Sequence, residues 1–546
     1  MRRASYIHTC LLLAISVASA QRTTNFTFTM TITGESNSAT GHAVGSGNGT
    51  LPGLGQVAIS VDLTQPLDAT SNTPLPPLDD YKGTISFIFN RLDSFDVSVT
   101  IPNGNGPPST VSGNITGGRG AYQGATGQVA FTFIGMSASA PRSQALKSGA
   151  YAIAATGNVT VGGKTSAINL LNTSMVTPGS SDIFRDSNTG SAMFSPLGNA
   201  TFEIIGHGGD NNTRQSVIST FKFNADDSVS TFFTFIGDTL PLNTTGVIIG
   251  GTGAYTGATG SANLASFSMS ADGKSATITG SGYVTTGATG IPVITGVSTA
   301  FGSDELAPNT WAAIKGNNLV PTNTPSTGMT WSSAPEFAQG KMPTSVQGIS
   351  VTVSGVPAYV SFYCSAATDN DCATDQINIL TPLDVLGDNT PAAVVVTNGS
   401  VSSAPFIVNE VSFGEPSFLL FSPKGYVVGV HLDGSLLGPT TLYPGLSTPA
   451  KAGETVLLFP IGYGIPKGAT QGSAAQSGAV QGTVNCEIGG RVVQNVPANL
   501  ISPGLTQLNF TIPAGTPSGD NLIFCAGLFS GSTSGRTPLG NLITIQ

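Results

Sequence analysis

The sequence contains two nearly identical glycine-rich stretches, and this duplication limits the fold more than any other feature. Residues 117–127 read GGRGAYQGATG, and residues 250–260 read GGTGAYTGATG. The match continues without a gap to positions 138 and 271, and the upstream segment FIFNRLDS is similar to FKFNADDS. Because self-similarity over such a length is the signature of a repeated unit, we infer that a whole domain is duplicated.

Each copy consists of short segments in which apolar and polar residues alternate. NFTFTMTIT, GTISFIFN and STFFTFIG all show this period of two and are separated by Gly, Asn and Asp. The pattern is typical of strands joined by tight turns, since β-branched residues pack well on pleated sheets and glycine supplies turn conformations. An apolar content of 39% and a mean hydropathy of +0.17 indicate buried cores and argue against a disordered chain.

The second half of the chain contains another pair of related segments. QINILTP at residues 376–382 parallels QLNFTIP at residues 507–513. Short strands separated by turn residues follow one another in both surroundings, which predicts β-sandwiches. The predicted units after the first twenty residues are two repeats and two sandwiches, at residues 21–170, 171–296, 297–412 and 413–546.

Two resemblances refine these predictions. LAPNTWAAIKGNNLVP, DQINILTP and SPGLTQLNFTIPAGTPSGD occur in this order in the second half, which closely resembles the Solibacter-type uncharacterised C-terminal domain family. That resemblance implies an immunoglobulin-like fold, related to the IPT/TIG sandwiches, and brings no catalytic residues with it. The two glycine stretches resemble the GG-x-G turn of the dirigent and allene oxide cyclase barrels, which implies small antiparallel barrels that hold an apolar ligand.

Together these observations predict an all-β protein. Two tandem antiparallel barrel-like repeats are followed by two immunoglobulin-like β-sandwich domains. The active-site residues of the dirigent and cyclase families have no matching positions in this sequence, so the resemblance transfers no activity.

The first residues predict that the protein is exported. Arg2 and Arg3 precede an apolar run that ends in Ala18-Ser19-Ala20, which is typical of a signal peptide cleaved after Ala20. We therefore expect a secreted protein, located outside the cell or on its surface. No later run reaches about 18 apolar residues, so we expect no membrane span.

Four cysteines remain after this cleavage, and export together with an even number favours disulfides. Of the three pairings that four cysteines allow, we predict Cys364–Cys372 and Cys486–Cys525. A zinc site is the alternative, although the sequence has no CxxC and no histidine beside a cysteine.

Charge and motifs exclude several functions. The net charge of −9 is spread thinly, and no Lys/Arg cluster exists that could neutralise nucleic-acid phosphates or an anionic membrane. The glycine stretches lead into strand-like QVAFTF and SANLASF without a following Lys-Ser/Thr, so they do not read as nucleotide loops. GxSxG and HExxH are absent, and the histidines at 42, 207 and 431 are isolated, so we predict no enzyme and no cofactor.

Aromatic residues supply the candidate ligand contacts. Tyr122 and Tyr255 close the two glycine stretches and either pack inward as anchors or face a ligand. Trp311 falls in an apolar strand and is predicted to be core, whereas Trp331 lies in a predicted loop and is the better candidate for an exposed contact.

Carboxylates supply the other candidates. Asp369, Asp371 and Asp375 gather in TDNDCATD, and oxygen ligands at such spacing could hold Ca²⁺. The alternative is a solvated acidic loop beside a disulfide. Asp93 and Asp227 recur in the two repeats and are interpreted as turn residues that bond to their own backbone.

The sequence therefore predicts a secreted or cell-surface protein with a non-catalytic, adhesion-type binding or structural role. Low charge and many Thr, Ser and Asn residues suit contact with a polysaccharide or with the cell envelope. Two alternatives stay open. One is a carrier of a small apolar ligand, or a cyclase- or dirigent-like enzyme, that uses the barrels; the other is an extracellular hydrolase whose site is assembled from distant residues.

Overall fold

The computed structural model describes most of the chain, with gaps between the described stretches. The described residues are 22–68, 73–74, 80–102, 110–134, 150–176, 183–206, 214–236, 244–271, 275–287, 290–300, 305–383, 390–410, 416–464, 466, 468–528 and 535–546. The predicted signal peptide and His207 lie outside them, as does the side chain of His42. The regular secondary structure of the described residues is almost entirely β-strand, which confirms the all-β prediction.

The described residues of the first half form sixteen strands and two short 3-10 turns, Gly120–Tyr122 and Gly253–Tyr255. The strands are β1 (Arg22–Leu51), β2 (Gly55–Asp68), β3 (Thr73–Pro74), β4 (Tyr81–Ile88), β5 (Ser94–Ile101), β6 (Val111–Arg119), β7 (Thr126–Ile134), β8 (Ala150–Val161), β9 (Lys164–Val176), β10 (Ile183–Ser195), β11 (Gly198–Gly206), β12 (Arg214–Lys222), β13 (Ser228–Ile236), β14 (Thr245–Thr252), β15 (Thr259–Met269) and β16 (Ala276–Thr286).

These strands make two antiparallel barrels of eight strands each, and both barrels use β1. Residues 22–32 of β1 pair with β16 and residues 27–40 pair with β10, which closes the second barrel. Residues 38–51 pair with β2, and Ser46 pairs with Val176 of β9, which brings the first barrel together. The second barrel thus contains a strand from the first predicted repeat.

The alternating sequence explains the packing of each barrel. Phe26, Phe28 and Met30 of β1 point into the second barrel, while Thr27 and Thr29 between them face outward. An eight-stranded barrel is just wide enough for side chains to fill it. The first barrel is filled by its own apolar cluster, whose largest buried side chains are Tyr81, Phe87, Phe95 and Phe131.

The third unit is a pair of sheets with one apolar core between them. Its strands are β17 (Val293–Thr299), β18 (Glu305–Leu306), β19 (Trp311–Asn317), β20 (Met329–Thr330), β21 (Ser345–Val346), β22 (Ile349–Val353), β23 (Val356–Pro357), β24 (Tyr359–Cys364), β25 (Asp375–Leu380), β26 (Thr390–Asn398), β27 (Val401–Ser402) and β28 (Phe406–Glu410). A 3-10 turn (Trp331–Ser333) and the short helix α1 (Pro335–Ala338) follow β20. One sheet has the order β17-β19-β25-β24-β20, and the other is built on β18-β28-β26-β22-β21.

The fourth unit is a second sandwich with a separate core. Its strands are β29 (Ser417–Phe418), β30 (Gly429–His431), β31 (Leu436–Leu437), β32 (Ser447–Thr448), β33 (Thr455–Leu458), β34 (Pro460–Ile461), β35 (Gly478–Ala479), β36 (Thr483–Ile488), β37 (Arg491–Val496), β38 (Ala498–Ser502), β39 (Leu505–Thr511), β40 (Gly519–Leu528) and β41 (Asn541–Ile545). A nine-stranded sheet built on β29-β34-β39-β33-β30-β31-β32 packs against the sheet β37-β36-β40-β41.

Both predicted disulfides are present. Cys364 and Cys372 bridge the loop after β24, and their Cα atoms lie 6.4 Å apart. Cys486 and Cys525 lie directly opposite each other on β36 and β40. Since each bond joins residues within one sandwich, the disulfides stabilise the sandwiches individually.

The four units make a closed ring of contacts. Each barrel packs on one sandwich: an apolar cluster around Tyr426 joins the first barrel to the second sandwich, and one around Phe232 joins the second barrel to the first sandwich. The two sandwiches also meet, where the Trp311 indole N–H donates to the Pro503 carbonyl at 3.0 Å. Within the described residues, no helix has the length and apolar character needed to cross a bilayer.

Candidate functional site

The duplicated glycine stretch fastens one end of each barrel. The carboxylate of Asp93 accepts a hydrogen bond from the backbone N–H of Ala121 at 2.8 Å, and Asp227 accepts the same bond from Ala254 at 2.8 Å. Gly120 has a φ of +58°, and a Cβ there would overlap the Asp93 carboxylate. Only glycine therefore fits this position, which explains why the stretch is so similar in both copies.

Each aspartate carboxylate also accepts the side-chain NH₂ of the asparagine in its own hairpin, at 2.7 Å for Asp93 and 2.8 Å for Asp227, but among the described residues neither carboxylate bonds to the backbone of that hairpin. That role belongs to an asparagine: Asn90 Oδ1 accepts the backbone N–H groups of Leu92 and Asp93 at 2.9 and 3.1 Å. Asn224 does the same in the second barrel. The asparagine satisfies the hairpin backbone and holds Asp93 Oδ2, so Asp93 Oδ1 reaches the glycine turn 28 residues further along the chain.

Tyr122 and Tyr255 pack inward against phenylalanines. The rings of Tyr122 and Phe89 stack with their centroids 4.6 Å apart, and those of Tyr255 and Phe223 stack at 5.3 Å. Burial, and then the neighbouring aspartate, raises the pKa of each tyrosine. This geometry suits the anchoring role predicted from the sequence, while a ligand contact by either tyrosine stays a prediction.

The structure does not gather the three aspartates proposed for Ca²⁺. Asp375 is buried, and its oxygens accept hydrogen bonds from the Leu319 and Ala366 N–H groups and from Ser365 Oγ. Asp369 accepts the N–H of Asp371 in a local turn at 2.9 Å. Among the described residues, the one cluster with metal-ligand spacing joins Asp369 to the cysteines at 364 and 372, and the disulfide leaves those sulfurs without a thiolate to bind metal.

His431 of β30 is held in the second sandwich by two acceptors. Its Nδ1 lies 2.5 Å from Glu454 Oε1, and its Nε2 lies 3.0 Å from the Thr448 carbonyl oxygen. Burial opposes the imidazolium, but the bonds to Glu454 and Thr448 outweigh burial and raise the pKa of His431. Since both ring nitrogens donate to acceptors in the charged form, neither offers a lone pair for metal binding or for proton abstraction. The contacts make His431 a structural cross-link between β30 and β32.

Among the described residues, a candidate binding site lies between the two sandwiches, and we call this site the cleft. It is a cavity of about 490 Å³, a size typical of small-ligand sites. The lining residues come from both sandwiches: Ala300, Trp311, Ala312, Ala313, Ser361, Gln376, Asn378, Leu419, Ile461, Ser502 and Leu505. None of these side chains carries a charge.

One wall of the cleft is polar. Gln376 and Asn378 lie two residues apart on β25, so both side chains point away from the core of the first sandwich. Gln376 Nε2 donates to Asn378 Oδ1 at 2.8 Å, and Ser361 Oγ donates to the Asn378 carbonyl at 3.0 Å. Among the described residues, the Gln376 side-chain oxygen and the Asn378 amide NH₂ have no hydrogen-bond partner, so an acceptor and a donor lie side by side on this wall.

The wall that the second sandwich supplies is mostly apolar, with Ser502 beside its aliphatic side chains. Leu419, Ile461 and Leu505 supply it, and the Trp311 ring reaches the cavity from the first sandwich. The bond from Trp311 to Pro503 fixes the ring at the join of the two walls. Gly504 follows with a φ of +70°, and a Cβ there would overlap both Trp311 and Leu380, so the close approach of the sandwiches requires glycine.

The two tryptophans differ from the sequence-based expectation. Trp311 is half-buried and lines the cleft, although its apolar strand indicated a core position. Trp331 is also half-buried; it packs edge-on against Trp311 with centroids 5.5 Å apart and stacks on Phe337 at 5.1 Å. Trp331 is not one of the residues that line the cleft and supports Trp311 from the side.

The sequence interpretation did not identify Gln376 and Asn378 as site residues, although it singled out their strand. The available signal was two carboxamides at alternate positions of a strand in which Ile377, Ile379 and Leu380 are apolar. No protein-family model and no curated protein matches this chain.

Proposed function

We propose that this chain is an exported, non-catalytic binding protein of the adhesion type that holds its ligand in the cleft between the two sandwiches. The observation that carries the proposal is the cleft itself, whose polar and apolar walls come from different sandwiches and are joined through Trp311 and Pro503. The ligand belongs to a polysaccharide or to the cell envelope. We also propose that both sandwiches are immunoglobulin-like, a fold that often presents binding surfaces on sheets and loops.

Export fits the covalent structure. Two disulfides are typical of proteins that fold in oxidising compartments, and the predicted signal peptide with cleavage after Ala20 accounts for how the chain would arrive there. We propose a location outside the cell or on its surface on this basis.

The barrels are less suited to hold the ligand than the cleft, because side chains fill them. In the first barrel, Phe87 and Phe95 stack at 4.7 Å in the middle of the apolar cluster. In the second barrel, Phe194 contacts both Phe28 and Phe221. A small apolar ligand would have to displace these contacts, whereas the cleft already offers open volume.

A depletion assay with the full mature chain tests this proposal. Protein is mixed with producer cells and, separately, with insoluble polysaccharides, and the fraction left in solution is measured. We expect depletion of the wild type and its loss in Ala313→Phe, because a ring at Ala313 fills the cleft. Val492→Phe adds the same ring at an exposed position outside the cleft and should behave as the wild type.

Two results would contradict the proposal. If no cell or polysaccharide preparation depletes the wild type, an adhesion role fails. If Ala313→Phe is depleted as strongly as the wild type, the protein binds but the cleft is not where it does so.

A further inference from the structure

We infer that the ligand of the cleft is an uncharged glycan segment, bound by its hydroxyl groups on the Gln376–Asn378 wall and by a carbohydrate C–H face on the Leu419–Ile461–Leu505 wall. This inference rests on the proposed function and adds the chemistry of the ligand to it. It also separates neutral polysaccharides from the charged polymers that cell envelopes often contain.

Charge is the first argument. All eleven side chains that line the cleft are uncharged. A uronate, phosphate or ammonium group that enters such a cavity loses part of its hydration and gains no ion pair, which is unfavourable. The cleft therefore disfavours charged polymers and suits a neutral ligand.

The polar wall matches hydroxyl groups in particular. Each hydroxyl both donates and accepts, and neighbouring hydroxyls on a sugar ring present donors and acceptors side by side. The Gln376 side-chain oxygen accepts and the Asn378 NH₂ donates, with the two groups already held in place by the bond between these residues. Because this bond fixes both amides before the ligand arrives, little side-chain entropy is lost on binding.

The combination of the two walls also disfavours a fully apolar ligand. A fully apolar ligand would cover Leu419, Ile461 and Leu505 well, but it would leave the carboxamides of the other wall dehydrated and unpaired. A sugar ring has an apolar C–H face and a polar edge, so it satisfies both walls at once. Trp311 lies where the walls meet and offers a flat surface for such a face.

A peptide that binds by strand addition does not fit the polar wall. β19, β25 and β24 supply that wall, and each is already hydrogen-bonded to a neighbouring strand on both sides. Strand addition requires a free sheet edge, and the faces of these strands, not their edges, line the cleft.

The experiment uses the two tryptophans as probes, since Trp311 lines the cleft, Trp331 packs against it and the sequence has no other tryptophan. The full mature chain is titrated with neutral cello-, malto- and xylo-oligosaccharides and with oligogalacturonates, while tryptophan fluorescence and heat of binding are recorded. We expect saturable binding of at least one neutral series. Oligogalacturonates should bind at least tenfold more weakly.

A matched pair of variants tests the polar wall. Gln376→Ala with Asn378→Ala should weaken binding by about tenfold or more, because the hydrogen bonds to the ligand are lost. Gln507 and Asn509 form the same pair on β39, with a bond of 2.9 Å, but do not line the cleft. Their double alanine variant should bind within about twofold of the wild type, and thermal unfolding of both variants checks that they fold.

Each outcome decides between the two proposals. Neutral binding that requires Gln376 and Asn378 supports the inference. If oligogalacturonate binds more tightly than the neutral series and Ala313→Phe abolishes this binding, the inference is wrong and the proposed function stands. If Ala313→Phe blocks depletion but no neutral oligosaccharide binds, the inference is also wrong. If the wild type is not depleted at all, the proposed function itself is wrong.

Discussion

The two barrels close in the same way but meet the sandwiches through different kinds of surface. In both, an aspartate bonds to the backbone of the glycine turn, and a tyrosine of that turn stacks on a phenylalanine. The second barrel presents Phe232 and Ile249 to Ala393 of the first sandwich, and this contact is apolar. The first barrel presents smaller and more polar groups to the second sandwich.

Hydrogen bonds between described residues accompany the apolar cluster of that first interface and give it a polar character. Asn48 donates to Glu487 at 2.9 Å, and Arg91 N–H donates to the Lys424 carbonyl at 3.1 Å. Gln56 donates to Asn521 Oδ1 at 2.9 Å and accepts the Leu522 N–H at 3.2 Å. The residue of β2 that faces the sandwich between these groups is Ala58.

This difference shows that the residues that close a barrel are not the residues that position it on a sandwich. The aspartate, asparagine, glycine and tyrosine of the turn are the same in both copies, because closure makes the same demands on both. The outward residues differ, because each barrel packs on a different sandwich. The following variants, from the largest expected effect to the smallest, test this separation.

Phe232→Ala should destabilise the contact of the second barrel most. Phe232 is 4% exposed, and truncation of a buried phenylalanine costs about 4 kcal/mol. We expect this loss in the free energy of unfolding measured in urea. Met193→Ala lies on the outside of the same barrel at 61% exposure and should change it by less than about 0.5 kcal/mol. Equal effects of the two variants would show that the interface contributes little.

Gly120→Ala and Gly253→Ala should damage the two barrels alike, since closure is the shared feature. The added Cβ is strained at positive φ and displaces the aspartate bond, with a combined cost of about 3 kcal/mol for Gly120. Gly124 lies in the same turn with a φ of +73°, but a Cβ there has open space around it. Gly124→Ala should therefore cost only about 1 kcal/mol in the same urea titration. A large difference between Gly120→Ala and Gly253→Ala would break the comparison.

Gln56→Ala should weaken the polar interface by about 2 kcal/mol, because it leaves the buried Asn521 with an unpaired oxygen. Gln128 makes one bond of 3.1 Å to Asn114 on the exposed outside of the same barrel. Gln128→Ala should thus change the free energy of unfolding by less than about 0.5 kcal/mol. If both variants unfold at the same urea concentration, the interface of the first barrel does not depend on Gln56.

The smallest expected effect depends on pH. Burial raises the pKa of Glu487, and the bond from Asn48 opposes this rise only in part. A raised carboxyl pKa contributes stability that is complete below the ordinary value of about 4.3 and is lost as the pH rises through the raised value. The protonated carboxyl also has a proton to donate to Asn48 Oδ1, which is buried and has no hydrogen-bond partner among the described residues.

Glu487→Gln keeps such a donor at every pH. We expect it to stabilise the protein by about 1 kcal/mol near pH 7 and by little near pH 4, measured as the difference from the wild type in urea. Glu336→Gln removes an exposed carboxylate of α1 and should show no such dependence. A gain from Glu487→Gln that is the same at both pH values would argue against protonation as the cause.

The sequence predicted the fold class because the signals for it are local. Alternation in NFTFTMTIT defines a strand with one buried face, and Phe26, Phe28 and Met30 are indeed buried in the second barrel. The cysteine pairs were also predictable, since four cysteines in a chain predicted to be exported leave few arrangements. The alternation predicted for STFFTFIG does not hold at Phe232 and Phe233, because Phe233 faces the barrel core and Phe232 faces a sandwich, so both sides of the strand are apolar there.

The cleft and the shared strand could not be predicted in this way. Asn378 and Leu505 line one cavity although they are far apart in the chain, and nothing near either residue specifies the other. The same holds for the pairing of Arg22 with Thr286, which depends on the closure of a whole barrel. Trp311 was misplaced because its strand begins with apolar residues on both faces, and only the second sandwich decides what the outward side chain of Trp311 meets.

The sharing of β1 has a mechanical consequence. A fragment that begins at Ile183 lacks the strand between β10 and β16. Its second barrel would therefore be an open sheet with two edge strands whose backbone N–H and C=O groups are unpaired. Neither repeat can therefore be exchanged or removed alone, although the two repeats follow one another in the sequence. Tension applied at Arg22 would reach the seam with β16 first and the first barrel only afterwards, so the two barrels would bear load in series along a single strand.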